Sequence, residues 1–211
     1  ARSKSKRVKD KNIRLLNGVP LMILPFLWSN TIKKINKFIL STDSSKYIEI
    51  AKDFSLESIK RPKKISQDTS TLEEAVEHIL IHFRKNNIYF KNTILLQPTC
   101  PVFETEELKK AINRYEKTNC NSLITFCNFK RFFLYDKNIM SRPRTQDMIP
   151  KKLETGCFWI FNNAKFLKLK NRIIKPVVEF QLKNESKADI DHIEDLSVVE
   201  SLLSKTTNQY F

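Results

Sequence analysis

The side chains best suited to chemistry lie near the two ends of the chain. Six lysines and arginines fall between Arg2 and Asn12, with two serines interleaved among them. Cationic side chains, hydroxyls and backbone amides together can bind several phosphate groups, which carry dense negative charge and many acceptor oxygens. Near the other end, Asp189 and Asp191 place two carboxylates on one face of an extended segment, as a shared Mg²⁺ requires. The two features together predict nucleotide chemistry with a divalent ion.

Both features also have a simpler interpretation. A basic run near a terminus is usually a solvated tail, and Asp191 with Glu194 fits the capping box of a final helix. The basic run, however, leads directly into an apolar segment with an Asn17-Gly18 turn, and Asp189 has no role as a cap. The sequence therefore leaves capping and metal binding open for Asp191 and favours metal binding for Asp189.

Composition argues against several other classes of protein. The only glycines are Gly18 and Gly156, so the chain contains neither a glycine-rich P-loop nor a G-x-G-x-x-G dinucleotide turn. The three histidines form no H-E-x-x-H zinc pattern. Four cysteines without C-x-x-C spacing are typical of reduced thiols, so we expect a cytoplasmic protein. The longest apolar run, 20–28, is too short to cross a bilayer, and the charged start does not resemble a signal peptide, so we expect no membrane association.

The net charge of +15 would ordinarily indicate a nucleic-acid partner. In this chain the basic residues are spread from end to end, together with abundant asparagine and isoleucine. This distribution indicates a compositional bias rather than a binding patch, so we expect no nucleic-acid partner. The positive field would still help an anionic substrate to approach.

The elements that must position these residues alternate between strands and helices, which is typical of an α/β domain. The hydrophobic pattern predicts strands at 37–43, 93–97, 122–127, 157–161 and 177–182, and helices at 44–53, 71–85, 105–115 and 193–203. A chain of 211 residues can build one substantial core, so we predict a single domain over residues 1–211. Because the chain does not begin with Met, we expect that it lacks a first strand ahead of residue 1.

Polar side chains follow the predicted strands. Asp43, Gln97 and the Asp189/Asp191 pair all come where a strand ends or shortly after it. Ligands of open α/β sheets bind outside the carboxyl ends of the strands, so the sequence predicts a site at this edge. Residues 128–155 have an irregular, basic pattern, and we predict that they form a flap over the crevice or a dimerisation segment.

Eight short motifs follow one another along the chain. They are Ala1 to Lys6 with Lys11-Asn12, Ser41-Thr42-Asp43, Arg61-Pro62, Asp68-Thr69-Ser70, Leu95 to Thr99, Arg144 to Asp147, Thr155-Gly156, and Asp189-Ile190-Asp191. Their order and spacing resemble the acylneuraminate cytidylyltransferases, the CMP-sialic acid synthetases. Each motif is weak by itself, but the series covers nearly the whole chain.

This resemblance implies a three-layer α/β/α fold of the nucleotide-diphospho-sugar-transferase type, with a mixed, mostly parallel sheet. It also implies transfer of CMP from CTP to the anomeric hydroxyl of a sialic-acid-like nonulosonic acid, with release of pyrophosphate and with Mg²⁺ as cofactor. The catalytic residues would be Arg2, Lys11, Asp189 and Asp191. By the family pattern, Arg2, Ser5 and Lys11 would hold the triphosphate, Asn12, Arg61 and Ser70 would recognise the cytidine, Gln97 and Arg144 would contact the sugar, and Asp189 and Asp191 would bind Mg²⁺.

Two alternatives and one departure from the family pattern stay open. The acceptor could be another 2-keto sugar acid, such as pseudaminic, legionaminic or 3-deoxy-octulosonic acid. A non-catalytic nucleotide- or nucleic-acid-binding protein would also fit the positive charge, although it would have no need of the Asp189/Asp191 pair. Lys4 stands where the family usually has Gly or Asn, which would reshape the phosphate loop. The segment 128–155 is shorter than the family's usual dimerisation segment, which leaves a homodimer open.

Overall fold

Strands and helices alternate along the chain in a computed structural model that describes residues 1–3, 5–134, 140 and 142–206. The strands are β1 (Leu15–Leu16), β2 (Val19–Pro20), β3 (Leu40–Thr42), β4 (Ser58–Lys60), β5 (Asn92–Leu96), β6 (Ser122–Phe129), β7 (Lys151–Asn162) and β8 (Val177–Gln181). The helices are α1 (Leu24–Ser29), α2 (Ser45–Asp53), α3 (Leu72–Lys85), α4 (Thr105–Lys117), α5 (Asn163–Leu169) and α6 (Asp195–Leu203). Within these described ranges, none of the helices combines the length and the apolar character that crossing a membrane would require.

Helices α2 and α3 begin where a polar side chain can close the first turn. Thr71 Oγ1 accepts from the N–H of Glu74, and the Glu74 carboxylate accepts from the N–H of Thr71, which makes a complete capping box before α3. Ser44 Oγ accepts from the N–H of Tyr47 and caps α2 in the same position. Both predicted helices are confirmed to within one residue, because their start signals are local.

The main sheet contains four strands in the order β5-β7-β6-β8. β7 runs antiparallel to both of its neighbours, whereas β6 and β8 pair in parallel. Strands β5, β6 and β8 therefore point in one direction and β7 in the other. β3 and β4 form a separate parallel pair, and β1 and β2 form a short hairpin around Asn17-Gly18. The sheet is thus mixed, with most strands pointing the same way, as predicted.

Helices cover both faces of the main sheet. Ile94 and Leu96 of β5 pack into the core that includes residues of α1 and α4, whereas Leu95 faces the opposite core, with residues of α3 and α5. This alternation follows from the two-residue period of a strand. In the first core, Phe103 makes T-shaped ring contacts with Trp28 and Phe158, each with 5.5 Å between ring centroids. The three-layer α/β/α architecture is confirmed.

A β-bulge marks the place where β7 leaves the main sheet. The pairing of β7 with β6 shifts register between Ile124 and Phe126. Gly156 lies on the β7 side of this shift with a φ of +70°, a conformation that side-chain-bearing residues rarely adopt. A Cβ added there would lie 3.2 Å from Cys100 Sγ, so the position excludes a side chain for two reasons.

Beyond the bulge, β6 and β7 continue as a two-stranded arm. Asn128 and Phe129 pair with Lys152 and Lys151, so the prediction that residues 128–155 are irregular throughout is wrong at both ends of the segment. Sequence periodicity missed these strand ends because Lys151, Lys152 and Glu154 interrupt the apolar alternation on β7. Residues 135–139 and 141 lie outside the described residues, and the role of the segment as a flap or dimerisation segment stays a prediction.

The bulge generates a stability prediction. Gly156→Ala should lower the free energy of unfolding by more than the ~1–2 kcal/mol that a left-handed backbone costs a side-chain-bearing residue, because the new methyl also meets Cys100. Gly18→Ala is the matched control, since Gly18 has a φ of +80° but no atom within 4 Å of the added Cβ. Urea denaturation followed by tryptophan fluorescence measures both. Equal losses, or no relief of the Gly156→Ala defect in a Cys100→Ala background, would contradict this explanation.

Candidate active site

The basic N-terminal loop, residues 2–12, is fastened to the carboxyl end of β3. The N–H and Oγ of Ser3 donate to the two carboxylate oxygens of Asp43, at 2.9 and 2.8 Å. Burial alone would raise the pKa of Asp43, but the hydrogen bonds from Ser3 and the nearby Arg61 guanidinium lower it below its ordinary value. Asp43 is therefore an anion at neutral pH, and it holds the loop at the edge where the sequence predicts a site.

Arg2 and Lys6 converge on one exposed carboxylate. Arg2 Nη1 lies 2.7 Å from Asp68 Oδ1, and Lys6 forms an ion pair with the other oxygen of Asp68. A hydrogen bond from Lys6, with the charges of Lys6 and Arg2, lowers the pKa of Asp68. Exposed ion pairs contribute little to stability, so a more highly charged anion can displace Asp68 from these cations.

A second group of charges surrounds Asp191. Arg7 Nη1 lies 2.7 Å from Asp191 Oδ2, and Lys11 Nζ lies 3.6 Å from Asp191 Oδ1 while it also donates to the carbonyl oxygen of Ile190. The interpretation of Asp191 as a helix cap is wrong. It is the Asp195 carboxylate that accepts from the N–H groups of Asp191 and His192, at 2.8 and 2.6 Å, and α6 begins at Asp195 rather than at residue 193. The Asp191 side chain is left to interact with cations.

The turn after β5 holds the backbone next to Asp189, the other carboxylate of the pair. The carbonyl oxygen of Thr99 accepts from the N–H of Ile190 at 2.9 Å, and Gln97 Nε2 donates to Thr99 Oγ1 at 2.9 Å. Asp189 is exposed beside the buried thiol of Cys100. Burial, together with the Asp189 charge, raises the pKa of Cys100, so the thiol stays protonated and is a poor nucleophile.

Arg61 is a buried cation with an unused donor. Its side chain lies below the loop, where Nη2 donates to the carbonyl oxygen of Ser41 at 3.2 Å, and the residue is 9% exposed. Burial lowers the pKa of Arg61, although the Asp43 charge opposes this change. Among the described residues, the buried Nε of Arg61 has no hydrogen-bond partner. Since buried donors are usually satisfied, this atom is suited to an acceptor on a ligand.

The structure brings most of the predicted site residues to one edge of the molecule. Asn12 Nδ2 donates to the carbonyl oxygen of Arg2 at 2.9 Å, and Ser5 donates its N–H to the carbonyl oxygen of Ser3 at 3.2 Å, so both residues shape the loop. Ser70 Oγ accepts from the N–H of Gln67 at 3.0 Å, close in sequence to the Asp68 that binds Arg2.

One predicted site residue has its described contact elsewhere, and one residue singled out from the sequence has no described position. Arg144 is exposed in the segment between β6 and β7, where its Nε lies 2.7 Å from Asp147 Oδ2. Lys4 lies outside the described residues, so the effect of its departure from the family pattern stays a prediction. Sequence analysis did not assign individual roles to Asp43, Asp68 and Arg7, because their hydrogen bonds and ion pairs join segments far apart in the chain. The available signals were the position of Asp43 at a strand end and the Asp68-Thr69-Ser70 motif.

The arrangement suits a polyphosphate with a hard cation. In the part of the chain that the structure describes, no three His, Cys, Asp or Glu side chains are grouped so that they could hold a metal ion by themselves. Asp189 and Asp191 supply the oxygen donors that Mg²⁺ prefers, and Mg²⁺ usually binds one or two carboxylates together with substrate phosphates and water. The donor set therefore fits a Mg²⁺ that a phosphate ligand helps to hold.

Comparison with known proteins agrees with this chemistry. Residues 1–148 match the family model described as Cytidylyltransferase. The chain is 26% identical to the N-acylneuraminate cytidylyltransferase of Streptococcus agalactiae serotype III, over 92% of this chain and 50% of that protein. It is 24% identical to the pseudaminic acid cytidylyltransferase of Campylobacter jejuni, over 96% of this chain and 93% of that protein. The chain thus spans about half the length of the streptococcal relative.

A solved structure supports the fold. The structure of CMP:2-keto-3-deoxy-manno-octonic acid synthetase complexed with CTP aligns with a TM-score of 0.73, at 11% identity, over 97% of this chain and 95% of that chain. At this identity the likeness concerns the fold alone.

The segment that leads into α6 gives a prediction that distinguishes the roles of Asp191 and Asp195. Asp195→Ala should lower the free energy of unfolding by about 0.5–2 kcal/mol, because it removes the carboxylate that accepts from two backbone N–H groups. Asp191→Ala should change it by only a few tenths of a kcal/mol, since it removes partly exposed ion pairs. Urea denaturation measures both, with Asp195→Asn as the control that keeps an acceptor. A loss for Asp191→Ala as large as that for Asp195→Ala would restore Asp191 as the cap.

Proposed function

Since the chain belongs to the cytidylyltransferase family, we propose that it transfers CMP from CTP to the anomeric hydroxyl of a sialic-acid-like nonulosonic acid and releases pyrophosphate. The observation that carries this proposal is the meeting of the loop cations with the carboxylate pair, where Lys11 Nζ lies 3.6 Å from Asp191 Oδ1. Cations for a triphosphate and oxygen donors for a metal are thereby available at one edge of the sheet.

The triphosphate is proposed to bind Arg2, Ser5 and Lys11. Arg2 and Lys6 already form ion pairs with Asp68, so their side chains extend to the side of the loop where an anion can lie. A charge-assisted hydrogen bond contributes about 1.5–3 kcal/mol, more than an exposed ion pair does. The triphosphate would therefore replace Asp68 as the partner of these cations. Until the triphosphate binds, Asp68 would hold the two side chains in position.

The cytidine is proposed to bind beside Arg61, Asn12 and Ser70. The Nε of Arg61 is a buried donor without a partner among the described residues, and leaving such a group unpaired costs about 1–3 kcal/mol. The cytosine ring offers acceptors at O2 and N3, so a pyrimidine placed here would relieve that cost. This contact would favour CTP over purine nucleotides, whose larger bases present different edges.

The chemistry requires positioning and charge neutralisation more than a reactive side chain. The anomeric oxygen forms a bond to the α-phosphorus in line with the bond to the β-phosphate oxygen, which breaks, and the hydroxyl proton is released. Arg2 and Lys11 would steady the charge that develops on the leaving pyrophosphate. A Mg²⁺ held by Asp189 and Asp191 would supply further neutralisation and orientation of the phosphates. Cys100, protonated and buried, takes no covalent part.

The acceptor sugar has two candidates. Gln97, at the end of β5, and Arg144, on the arm, are the residues proposed for the sugar side. A sialic acid is the first candidate, from the streptococcal relative. Pseudaminic acid is the second, because the relative named for it matches the chain over nearly the full length of both proteins.

A pyrophosphate-release assay with CTP tests the proposal. We expect release with CTP and N-acetylneuraminic or pseudaminic acid, with N,N'-diacetyllegionaminic and 3-deoxy-octulosonic acids as competing acceptors and ATP, GTP and UTP as control donors. At about 100 times its dissociation constant, CTP should also stabilise the fold by roughly 2.7 kcal/mol in a thermal-shift measurement. Equal stabilisation by all four triphosphates would contradict the cytidine assignment. If CTP binds but no pyrophosphate is released in the presence of any of these sugar acids, the non-catalytic alternative is favoured.

The carboxylate pair gives a separate prediction about the metal. Asp189→Asn and Asp191→Asn should each reduce pyrophosphate release at least a hundredfold, because Mg²⁺ loses an anionic ligand. Calorimetry should show weaker CTP binding in the presence of Mg²⁺ and, in EDTA, an affinity for CTP that does not fall, because without the metal the lost carboxylate only competed with the phosphates for the cations. Asp53→Asn, on the surface at the end of α2, is the matched control and should leave both values unchanged. Full activity in either site variant would remove the metal assignment.

A further inference from the structure

Arg7 is a cation of the basic loop that has no part in the proposed binding of the triphosphate. Its Nη1 lies 2.7 Å from Asp191 Oδ2, whereas the neighbouring Lys6 forms its ion pair with Asp68. The cations of the loop are therefore divided between two carboxylates. Because Asp191 is also a proposed ligand of Mg²⁺, Arg7 occupies an oxygen atom that the metal would use.

The backbone that carries Arg7 is fixed. Val8 is buried, and its carbonyl oxygen accepts from the N–H of Lys11 at 3.2 Å, which closes a β-turn over residues 8–11 directly after Arg7. The Lys11 side chain is largely buried and donates to the carbonyl oxygen of Ile190. The turn is thereby fastened to the segment that carries Asp191, and the Arg7 guanidinium moves mainly through its own side-chain torsions.

The backbone on the other side of this ion pair is fixed as well. Ile190 is fully buried, and its N–H donates to the carbonyl oxygen of Thr99 at 2.9 Å, while the N–H of Asp191 donates to the Asp195 carboxylate at 2.8 Å. The charged groups, in contrast, reach solvent, because the Arg7 side chain is 60% exposed and the Asp191 side chain 37%. Such an ion pair can exchange its partners without a change of fold.

The two cations beside Asp191 differ in how easily they can be displaced. Arg7 faces Oδ2 and Lys11 faces Oδ1, so Asp191 can bind a metal only when one of them withdraws. Lys11 is largely buried and keeps a second acceptor at the same place, the carbonyl oxygen of Ile190. Arg7 is exposed and can turn towards an anion in the solvent. Arg7 is therefore the cation that gives way.

The displaced guanidinium remains on the loop that binds phosphates in the proposed reaction. A guanidinium donates two parallel N–H groups to a phosphate, which an ammonium group cannot do in the same fixed geometry. Arg7 and a divalent ion on Asp191 would repel each other unless an anion lay between them. A triphosphate that contacts both would remove this repulsion, so Arg7 and the metal each favour its binding.

We infer that Arg7 is a phosphate-binding residue that Asp191 restrains until Asp191 binds a divalent metal. Asp191 would then release Arg7 to the triphosphate, and a triphosphate bound to Arg7 would leave Asp191 free for the metal. By linkage, each ligand raises the affinity for the other by the same factor. The inference rests on the proposed binding of CTP and Mg²⁺ and adds the residue that couples the two.

Calorimetry without an acceptor sugar measures this coupling. The affinity for CTP is determined in EDTA and with saturating Mn²⁺, and the ratio of the two affinities is compared between proteins, so that association of Mn²⁺ with free CTP cancels. We expect this ratio to be about fivefold or more smaller in Arg7→Gln than in the wild type. Arg7→Lys should keep part of the coupling, because it retains the charge without the planar fork.

Arg14→Gln is the matched control. It removes an exposed cation just beyond the loop, whose Nε donates to the carbonyl oxygen of Lys9 at 3.0 Å rather than to Asp191. The ratio of CTP affinities should stay at the wild-type value in this variant. The control separates release of Arg7 from a general loss of positive charge.

A second measurement tests the restraint without any metal. In EDTA, Asp191→Asn removes the carboxylate that holds Arg7, so CTP should bind about two- to fivefold more tightly than to the wild type. In an Arg7→Gln background, the same Asp191→Asn substitution should give less than half of this gain, because the side chain that it frees is absent.

The outcomes distinguish this inference from the proposed function. An unchanged ratio in Arg7→Gln, or an equal fall in Arg14→Gln, overturns the inference. If Arg7→Gln weakens CTP binding equally in EDTA and in Mn²⁺, Arg7 is a permanent phosphate ligand, which also overturns it. In all these cases the wild type still binds CTP and the proposed function stands. A wild-type chain that binds no CTP contradicts both.

Discussion

Anchoring of the basic N-terminal loop by three aspartates, two through ion pairs with its cations and one through hydrogen bonds from Ser3, is the interaction on which the site depends. Six cations in eleven residues repel one another, and two unit charges 4 Å apart near a protein surface interact by about 4 kcal/mol. The loop has little regular structure to oppose this repulsion. Asp43 instead fastens Ser3, Asp68 binds Arg2 and Lys6, and Asp191 binds Arg7 and Lys11. Because these aspartates come from three distant segments, the loop can be ordered only after the sheet has brought their segments together.

The sheet supplies this arrangement through the ends of its strands. Asp43 follows β3, and Thr99, in the turn after β5, holds Ile190 between the two carboxylates. The bulge at Gly156 has a related role, since a Cβ there would lie only 3.2 Å from Cys100 Sγ. A residue that fits the backbone conformation of β7 thus also leaves room for the thiol in the segment that follows β5. The order of the strands in the sheet therefore determines which side chains come together at the site.

Local signals in the sequence predicted α2, α3 and α4 well, whereas the short helices α1 and α5 and the features that depend on non-local contacts were missed. The capping box of Thr71 and Glu74 marks the start of α3, and the helical spacing of the apolar residues predicts its extent. β4 was not predicted, because three residues form a strand there only when β3 lies beside them. β7 was predicted at 157–161 but extends from Lys151 to Asn162, since its alternation is interrupted at the bulge. Spacing alone left Asp191 open as a cap or a ligand, and the position of Asp195, whose carboxylate accepts from the N–H of Asp191, excludes the cap.

Arg61 connects the end of β3 with the loop. Its guanidinium donates to the carbonyl oxygen of Ser41, and its charge helps to lower the pKa of Asp43, the carboxylate that accepts from the N–H and Oγ of Ser3. The same buried cation therefore supports the anion that fastens the loop, while its Nε stays unpaired among the described residues. Anchoring of the loop and the donor offered to a ligand are thus coupled through one side chain.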